Sequence, residues 1–581
     1  MCAAKKKEEV QVVEAFLRGR MSRRQFLRKA SLLGLSTPFI SSILAACSSG
    51  PSIATTAPSP VVATMVPTAA ASLAATSAPT QVAAQAGGTV VLGVTSDVTS
   101  LDPAHALANF KNLAITLYDR LVDVSGVSTE VKPSLATSWT ISPDAKEYTF
   151  QLRKDVKFHD GTPFNAQAVK YTWDRMLDEK HPAHRPPYPY LGFFYSSLAE
   201  VQVVDDYTVK FLLKQPDAVF LSQLTWLPAS PVSPAALEKY GEKFDENPVG
   251  TGPFRFVSWA KDQQLVVERN PDYWAGPPKL ERVVIKPVPD EATRVIQLQK
   301  GDVDIVTDVS PEFIPFIEAD QNLQVQAHPG LHTWWIAINM EEEPFKDKRV
   351  RQALNYAVDK EAIIRDVLHG AADPSTGFVW PGTWAYEPNV QVYKHDPDKA
   401  KQLLADAGYA EGLSTRFVSP VSGSMMVSPR ELATVVQANL REVGVQASID
   451  TIEWTSYLGS LLQGTQPYGL AEMGWGNNTD DPGQYVSLQL TTAFEPPAGY
   501  NLSFFSNPQV DDLLNKASTT IKQDERTELY KEAQRIVADE APWIFMFHAK
   551  YVVASRRRVQ GLVVGANFNR LGLTTATASS S

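Results

Sequence analysis

Residues 247–274 read Asn-Pro-Val-Gly-Thr-Gly-Pro-Phe-Arg-Phe-Val-Ser-Trp-Ala-Lys-Asp-Gln-Gln-Leu-Val-Val-Glu-Arg-Asn-Pro-Asp-Tyr-Trp. A glycine-rich turn feeds one strand, Lys261 and Asp262 make a charged hairpin tip, Leu265 and Val267 alternate along a second strand, and Pro271 stops it. An alternating hairpin needs a sheet on which to bury its apolar face, so this stretch excludes an all-helical chain. At 581 residues the chain also far exceeds the ~250–300 at which a single hydrophobic core stops growing. At least two lobes are expected.

The 28-residue string resembles the signature of the family 5 solute-binding proteins of ABC importers, the group that contains the dipeptide, oligopeptide and nickel receptors. Two earlier blocks carry the same resemblance: Lys132-Pro-Ser-Leu-Ala-Thr-Ser-Trp139, and Val156-Lys-Phe-His-Asp-Gly-Thr-Pro-Phe164 after a strand in which Tyr148, Phe150 and Leu152 alternate. The likeness runs over roughly 87–573. It implies an α/β, two-lobed periplasmic-binding-protein fold of type II, in the large form with an extra subdomain, built on mixed sheets with helices on both faces. It implies an extracytoplasmic, monomeric receptor that traps a small molecule or peptide between its lobes and presents it to ABC permease subunits. No catalytic residue, cofactor or metal is implied. A receptor that signals to a membrane sensor would use the same fold.

The N-terminal segment reads as an export signal. Arg23 and Arg24 stand ahead of an apolar, Ser-interrupted stretch, 30–46, too short and too broken by Gly34 and Pro38 to remain in a membrane. It ends Leu44-Ala-Ala-Cys47, which resembles a lipobox with Cys47 as the lipidated first residue of the mature protein. Met21 is an alternative start, and the general secretory route is an alternative to the twin-arginine one. The expected organisation is a signal peptide over 1–46, a lipid-anchored linker over 47–86, a first lobe with the extra subdomain over 87–329, a second lobe over 330–548, a return to the first lobe over 549–573, and a disordered tail over 574–581. The linker lacks charge from 48 to 86, and as a flexible coil it would span about 35 Å.

Cysteine and charge agree with that organisation. Only Cys2 and Cys47 exist, so the folded body can hold neither a disulfide nor a cysteine metal site. Without residues 1–46 the chain has 45 basic and 61 acidic residues, a net charge of −16, which argues against nucleic acid and against an anionic membrane surface. The dinucleotide and P-loop glycine patterns, the Gly-x-Ser-x-Gly elbow and His-Glu-x-x-His are absent, which removes the simplest enzyme readings; a lipid-anchored hydrolase is the alternative from another class, though no nucleophile motif and no tight carboxylate or metal cluster marks one. His159-Asp160 fits a loop turn. His181 and His184, separated by Pro182, fit a solvated loop without a third metal ligand.

Along the body, a strand at 89–95 precedes Ser100-Leu-Asp-Pro-Ala-His105 and a helix carrying Leu113, Leu117 and Tyr118. A strand over 283–288, a helix capped by Asp290 and stopped at Gly301, and a strand over 303–306 form a unit that implies a mixed sheet. After Gly330 the strand 333–339 opens the second lobe. Val350, Ala353, Leu354 and Ala357 mark a buried helix face, Asp396-Pro397 an N-cap with proline at the first turn, and 430–443 a further helix before the strand 446–452. A late helix carries Leu529, Ala533 and Ile536, and the strand 544–547 is expected to carry the chain back to the first lobe.

The candidate ligand contacts follow from the resemblance. Gly474-Trp475-Gly-Asn-Asn478-Thr-Asp480-Asp481-Pro482 matches the family's Gly-Trp loop, so Trp475, Asn478 and Asp480 are candidates; Trp334, Trp384 and Tyr118 are weaker ones, because aromatic residues suit an apolar pocket with few polar anchors. In the peptide receptors an aspartate three residues after that Trp pairs with the ligand's α-ammonium. Here that position is Asn478. The loop that would supply an arginine to the ligand carboxylate corresponds to residues 421–426, which contain no basic residue, although Arg430 is close. Asp480 is the rival for the empty role, while Asp481 fits a turn beside Pro482.

Overall fold

A computed structural model describes residues 87–106, 113, 115–124, 130–423, 426–565 and 571–579. Arg23, Arg24, Cys47 and the linker lie outside the described residues, as does most of the helix expected ahead of Leu117. Two large mixed sheets organise the described residues. The first has seven strands in the order Leu323–His328, Tyr551–Arg556, Ile305–Thr307, Thr89–Val94, Arg282–Pro287, Gln264–Arg269, Phe254–Ala260. Thr89–Val94 runs parallel to both of its neighbours, and the outer pairs are antiparallel. The hairpin of residues 247–274 is therefore an edge of this sheet.

The second sheet has six strands in the order Ala372–Pro374, Trp543–Ala549, His332–Ile338, Leu470–Gly476, Leu413–Pro420, Val445–Ile452. Its last three strands are parallel, as the intervening helix Pro429–Glu442 requires. Helix ends follow the capping chemistry of the sequence. Asp290 accepts from the Thr293 amide and Gly301 closes Glu291–Lys300 at φ 89°, while Asp396 accepts from Lys399 at the start of Pro397–Asp406. The helix Lys348–Ala357 buries Val350, Ala353, Leu354 and Ala357 in the core of this lobe.

Chain crossings between the sheets occur at 329–331 and at Lys550, side by side. A Cβ on Gly330 would stand 2.2 Å from the Ala549 carbonyl oxygen, so only glycine allows the two crossings to approach this closely. The expected return strand 544–547 stays in the second sheet as Trp543–Ala549, and Tyr551–Arg556 is the strand that rejoins the first. Residues 574–579, expected to trail freely, instead include Thr577–Ala578, which pairs with Val559–Gln560, and Ala576 is fully buried. Small side chains fit a packed β-bridge as well as a loose tail.

A third, antiparallel sheet of four strands, Ala136–Ile141, Glu147–Leu152, Thr208–Leu213 and Leu198–Asp205, packs against the helix Ala166–Leu177 around its own core of Tyr148, Phe150, Trp173, Tyr195 and Phe211. The chain from Phe220 to Trp226 belongs to this same core. Among the described residues no helix is long and apolar enough to cross a membrane.

Candidate ligand-binding site

In open α/β sheets, loops at the carboxyl ends of parallel strands hold ligands. In the six-stranded sheet those ends are Pro420, Ile452 and Gly476, followed by residues 421–423, by Glu453 and by the loop 477–481. The last loop folds on Asp481: its carbonyl accepts from the Asn477 side-chain amide at 3.1 Å, its amide donates to Thr479 Oγ1 at 3.2 Å, and its Oδ1 accepts from the Gly483 amide at 3.0 Å. The Asn477 amide donates to Leu331 O at 2.8 Å, so the loop is tied to the chain crossing. Asn478 is 2% exposed, and Trp475 and Asp480 are half-buried. Trp475 packs edge-on to Tyr500 at 5.2 Å and against the group formed by Leu331, Trp380 and Tyr485.

The remaining candidates separate. Trp384 is half-buried, 5.7 Å from the Tyr530 ring, with the Arg526 guanidinium 5.3 Å from its face. Trp334 is fully buried and stacked on Phe547 at 5.2 Å and 8°, in a strand covered on both faces. It is a core residue. Tyr118 is likewise fully buried, donates to Leu101 O at 2.8 Å, and lies under Gly250, whose Cβ would fall 2.5 Å from its Cδ1. Its place is the floor beneath the signature turn, so neither Trp334 nor Tyr118 stands with Trp475, Asn478 and Asp480.

Other sequence features have structural places. The backbone amide of His159 donates to Gly250 O at 2.9 Å, and its Nε2 lies 2.9 Å from Gly252 O. Burial pushes the pKa of its imidazole down to about 4, so a neutral ring ties this turn to the signature. His184 Nδ1 lies 2.9 Å from Arg175 O, and among the described residues no three His, Cys, Asp or Glu side chains are grouped to hold a metal.

A buried ion pair went unread in the sequence. Arg526 meets Asp481 through Nη1 at 2.9 Å and Nη2 at 2.7 Å. Burial works against the guanidinium charge, but the Asp481 carboxylate more than offsets it and raises the Arg526 pKa. The partners are 45 residues apart, so no local spacing could have paired them. Around the same loop the charges are few. Burial first, then the neighbouring His332, pushes His548 down to about 3 and keeps it neutral. Burial also raises Glu472 well above the carboxylate range despite a 2.9 Å hydrogen bond from Ser419. In the other lobe, burial pushes Glu312 up to about 7, helped by the like charges of Glu291 and of Glu431 on the helix Pro429–Glu442. A pocket of about 580 Å³ exists elsewhere, at the amino ends of strands Leu413–Pro420 and Val445–Ile452, lined by Phe345, Arg416, Gln446 and Tyr468. It is at the wrong end of the parallel strands for the Gly-Trp loop.

Comparisons with known proteins agree with this architecture. Residues 130–495 match the family described as bacterial extracellular solute-binding proteins, family 5. The chain is 38% identical over 464 residues to heme-binding protein A of Haemophilus influenzae, covering 77% of this chain and 84% of that protein. It is 35% identical over 468 residues to the dipeptide-binding protein of Escherichia coli, covering 78% and 87%. Among solved structures, HbpA2 from Haemophilus parasuis superposes with a TM-score of 0.77 at 29% identity, over 85% of this chain and all of that one. The periplasmic binding protein DppA from Helicobacter pylori, in complex with the peptide STSA, gives 0.71 at 30% identity over 85% and 98%. With half or more of its length matched, and the signature hairpin and Gly-Trp loop in place, this chain belongs to the family 5 extracellular solute-binding proteins of ABC importers.

Proposed function

We propose that this chain is a lipid-anchored receptor that captures a polar solute, uncharged where it meets the Gly-Trp loop, between its two lobes and delivers it to an ABC permease, without catalysis. Family membership carries the receptor role. Lipid anchoring rests on Leu44-Ala-Ala-Cys47 behind Arg23 and Arg24, with the 48–86 linker holding the body off the bilayer. Capture follows from linkage: a solute that touches both lobes only when they are together shifts open to closed by that difference in contact energy.

Asn478 is the observation that carries the ligand class. An amide supplies no charge to an α-ammonium, and loss of a desolvated charged partner typically costs ~2–5 kcal/mol, roughly thirty- to several-thousand-fold in affinity. The surroundings support an uncharged group at this loop: His548 is neutral, and Asn477 Oδ1 and both side-chain polar atoms of Gln484 are buried without a hydrogen-bond partner in the described structure. In this reading Trp475 stacks on the solute, Asn478 hydrogen-bonds it, and Trp384 acts from behind Arg526. Isothermal titration with dipeptides, tripeptides, glutathione and heme tests it. Micromolar binding of a peptide that requires both free termini and collapses in Asp480→Asn would restore the peptide reading.

A further inference from the structure

The four-stranded subdomain touches the lobe that carries the Gly-Trp loop, and it does so at the base of that loop. The Ala218 amide donates to Ser518 O at 2.8 Å, at the end of the helix Pro508–Thr519. Ser222 Oγ donates to Asp481 Oδ2 at 3.3 Å. Between these two contacts Gly483 lies so close to Val219 that a Cβ would be 2.7 Å from Val219 Cγ2.

The acceptor of the Ser222 hydroxyl is unusually well prepared. Arg526 is aimed at Asp481 by its own lobe alone: Nε donates to Ala517 O at 3.0 Å, Nη2 to Tyr530 Oη at 3.2 Å, and the rings of Trp384 and Tyr530 flank the guanidinium at 5.3 and 5.5 Å. That leaves Asp481 with its Oδ1 shared between Arg526 and the Gly483 amide, and its Oδ2 between Arg526 and Ser222. Asp481 also closes the loop 477–481 through its own backbone. One carboxylate thus joins the candidate ligand loop, the buried arginine and the subdomain.

We infer that this junction is a latch: Ser222 and the Ala218 amide engage Asp481 and Ser518 when the subdomain meets the second lobe, and Asp481 and Arg526 are positioning residues through which that contact fixes the loop bearing Asn478 and Asp480. The subdomain then contributes to solute capture without touching the solute. A shared buried carboxylate suits the task, because hydrogen bonds to charged groups are stronger than neutral ones and depend steeply on geometry, so they are lost when the surfaces part. The inference rests on the two-lobed receptor reading, and its test needs no ligand.

The experiment uses the full chain with Cys2→Ser and Cys47→Ser, and nitroxide labels at Lys214→Cys on the subdomain side and Lys522→Cys on the other, both exposed. Electron–electron distance distributions are compared for the otherwise native protein, Ser222→Thr, Ser222→Ala and Ser222→Asp. The latch predicts a short-distance population that Ser222→Thr keeps, that falls about tenfold relative to the long one in Ser222→Ala, and that is depleted further in Ser222→Asp, where a second carboxylate faces Asp481. Ser222 is buried at the junction, so circular dichroism checks that each variant is folded before its distances are compared. Identical distributions in the native protein, Ser222→Ala and Ser222→Asp would overturn the latch while leaving solute binding untouched.

Discussion

Replacing Gly252 by alanine is the sharpest test of why the signature turn has the residues it has. In the native packing a Cβ at this position would stand 2.5 Å from both Thr116 O and Leu117 C and 2.6 Å from Tyr118 N, all backbone atoms that cannot swing aside as a side chain would. Displacing the turn strains the Gly252 amide bond to Leu117 O at 3.0 Å, and the contacts that Gly252 O makes with His159 Nε2 at 2.9 Å and Asn270 Nδ2 at 3.1 Å. Overpacking costs ~1–3 kcal/mol, and weakening two of these three hydrogen bonds adds about 1 kcal/mol each, so Gly252→Ala should destabilise by about 3–5 kcal/mol. At 2–4 °C per kcal/mol, the midpoint should fall by roughly 10 °C. Differential scanning calorimetry and urea titration measure this, with Gly459→Ala as the control. Gly459 is inside the helix Trp454–Leu462 with nothing within 4 Å of its Cβ position, and alanine there should be neutral or stabilise by up to ~1 kcal/mol. If Gly252→Ala matched the control within ~0.5 kcal/mol, the close-approach argument would be refuted.

Three further outcomes are expected. Cys47→Ala should leave the membrane fraction and remain folded, and recovery of this variant with membranes as efficient as wild type would count against the lipobox. Because the Glu472 pKa is raised in the folded state, its contribution to stability is fully present below the ordinary carboxylate range and is lost as pH rises toward the folded value. Glu472→Gln should therefore gain stability relative to wild type between pH 5 and pH 8, and an unchanged difference would mean the carboxyl is already ionised. Asn478→Asp should raise affinity for the dipeptide Met-Leu at least about thirtyfold in isothermal titration, while no gain would remove Asn478 from the ammonium position.

How far the sequence discloses this molecule depends on how local the determining physics is. The hairpin, the capped helices at Asp290 and Asp396 and the buried face of Lys348–Ala357 are written in spacings of a few residues, and the structure has them with ends shifted by one or two positions. The return to the first lobe is expected from 549, but the sequence does not mark Tyr551–Arg556 as a strand of its own, because only Lys550 separates it from Trp543–Ala549 and no glycine or proline stands between the two apolar runs. Trp334 shows the limit for site residues. A tryptophan in an apolar strand reads the same whether its ring faces a cleft or, as here, stacks on Phe547. The Asp481–Arg526 pair and the Ser222 contact join residues 45 and 259 apart, and only the folded chain brings them together.

The central claim, capture by closure of two lobes, is tested most directly by small-angle X-ray scattering on the protein before and after its own solute is returned. The solute is identified by native mass spectrometry, removed by unfolding and refolding, and added back at saturation. Closure predicts a smaller radius of gyration in the loaded protein than in the stripped one. An unchanged radius at saturating solute, with the stripped protein as compact as the loaded one, would contradict it.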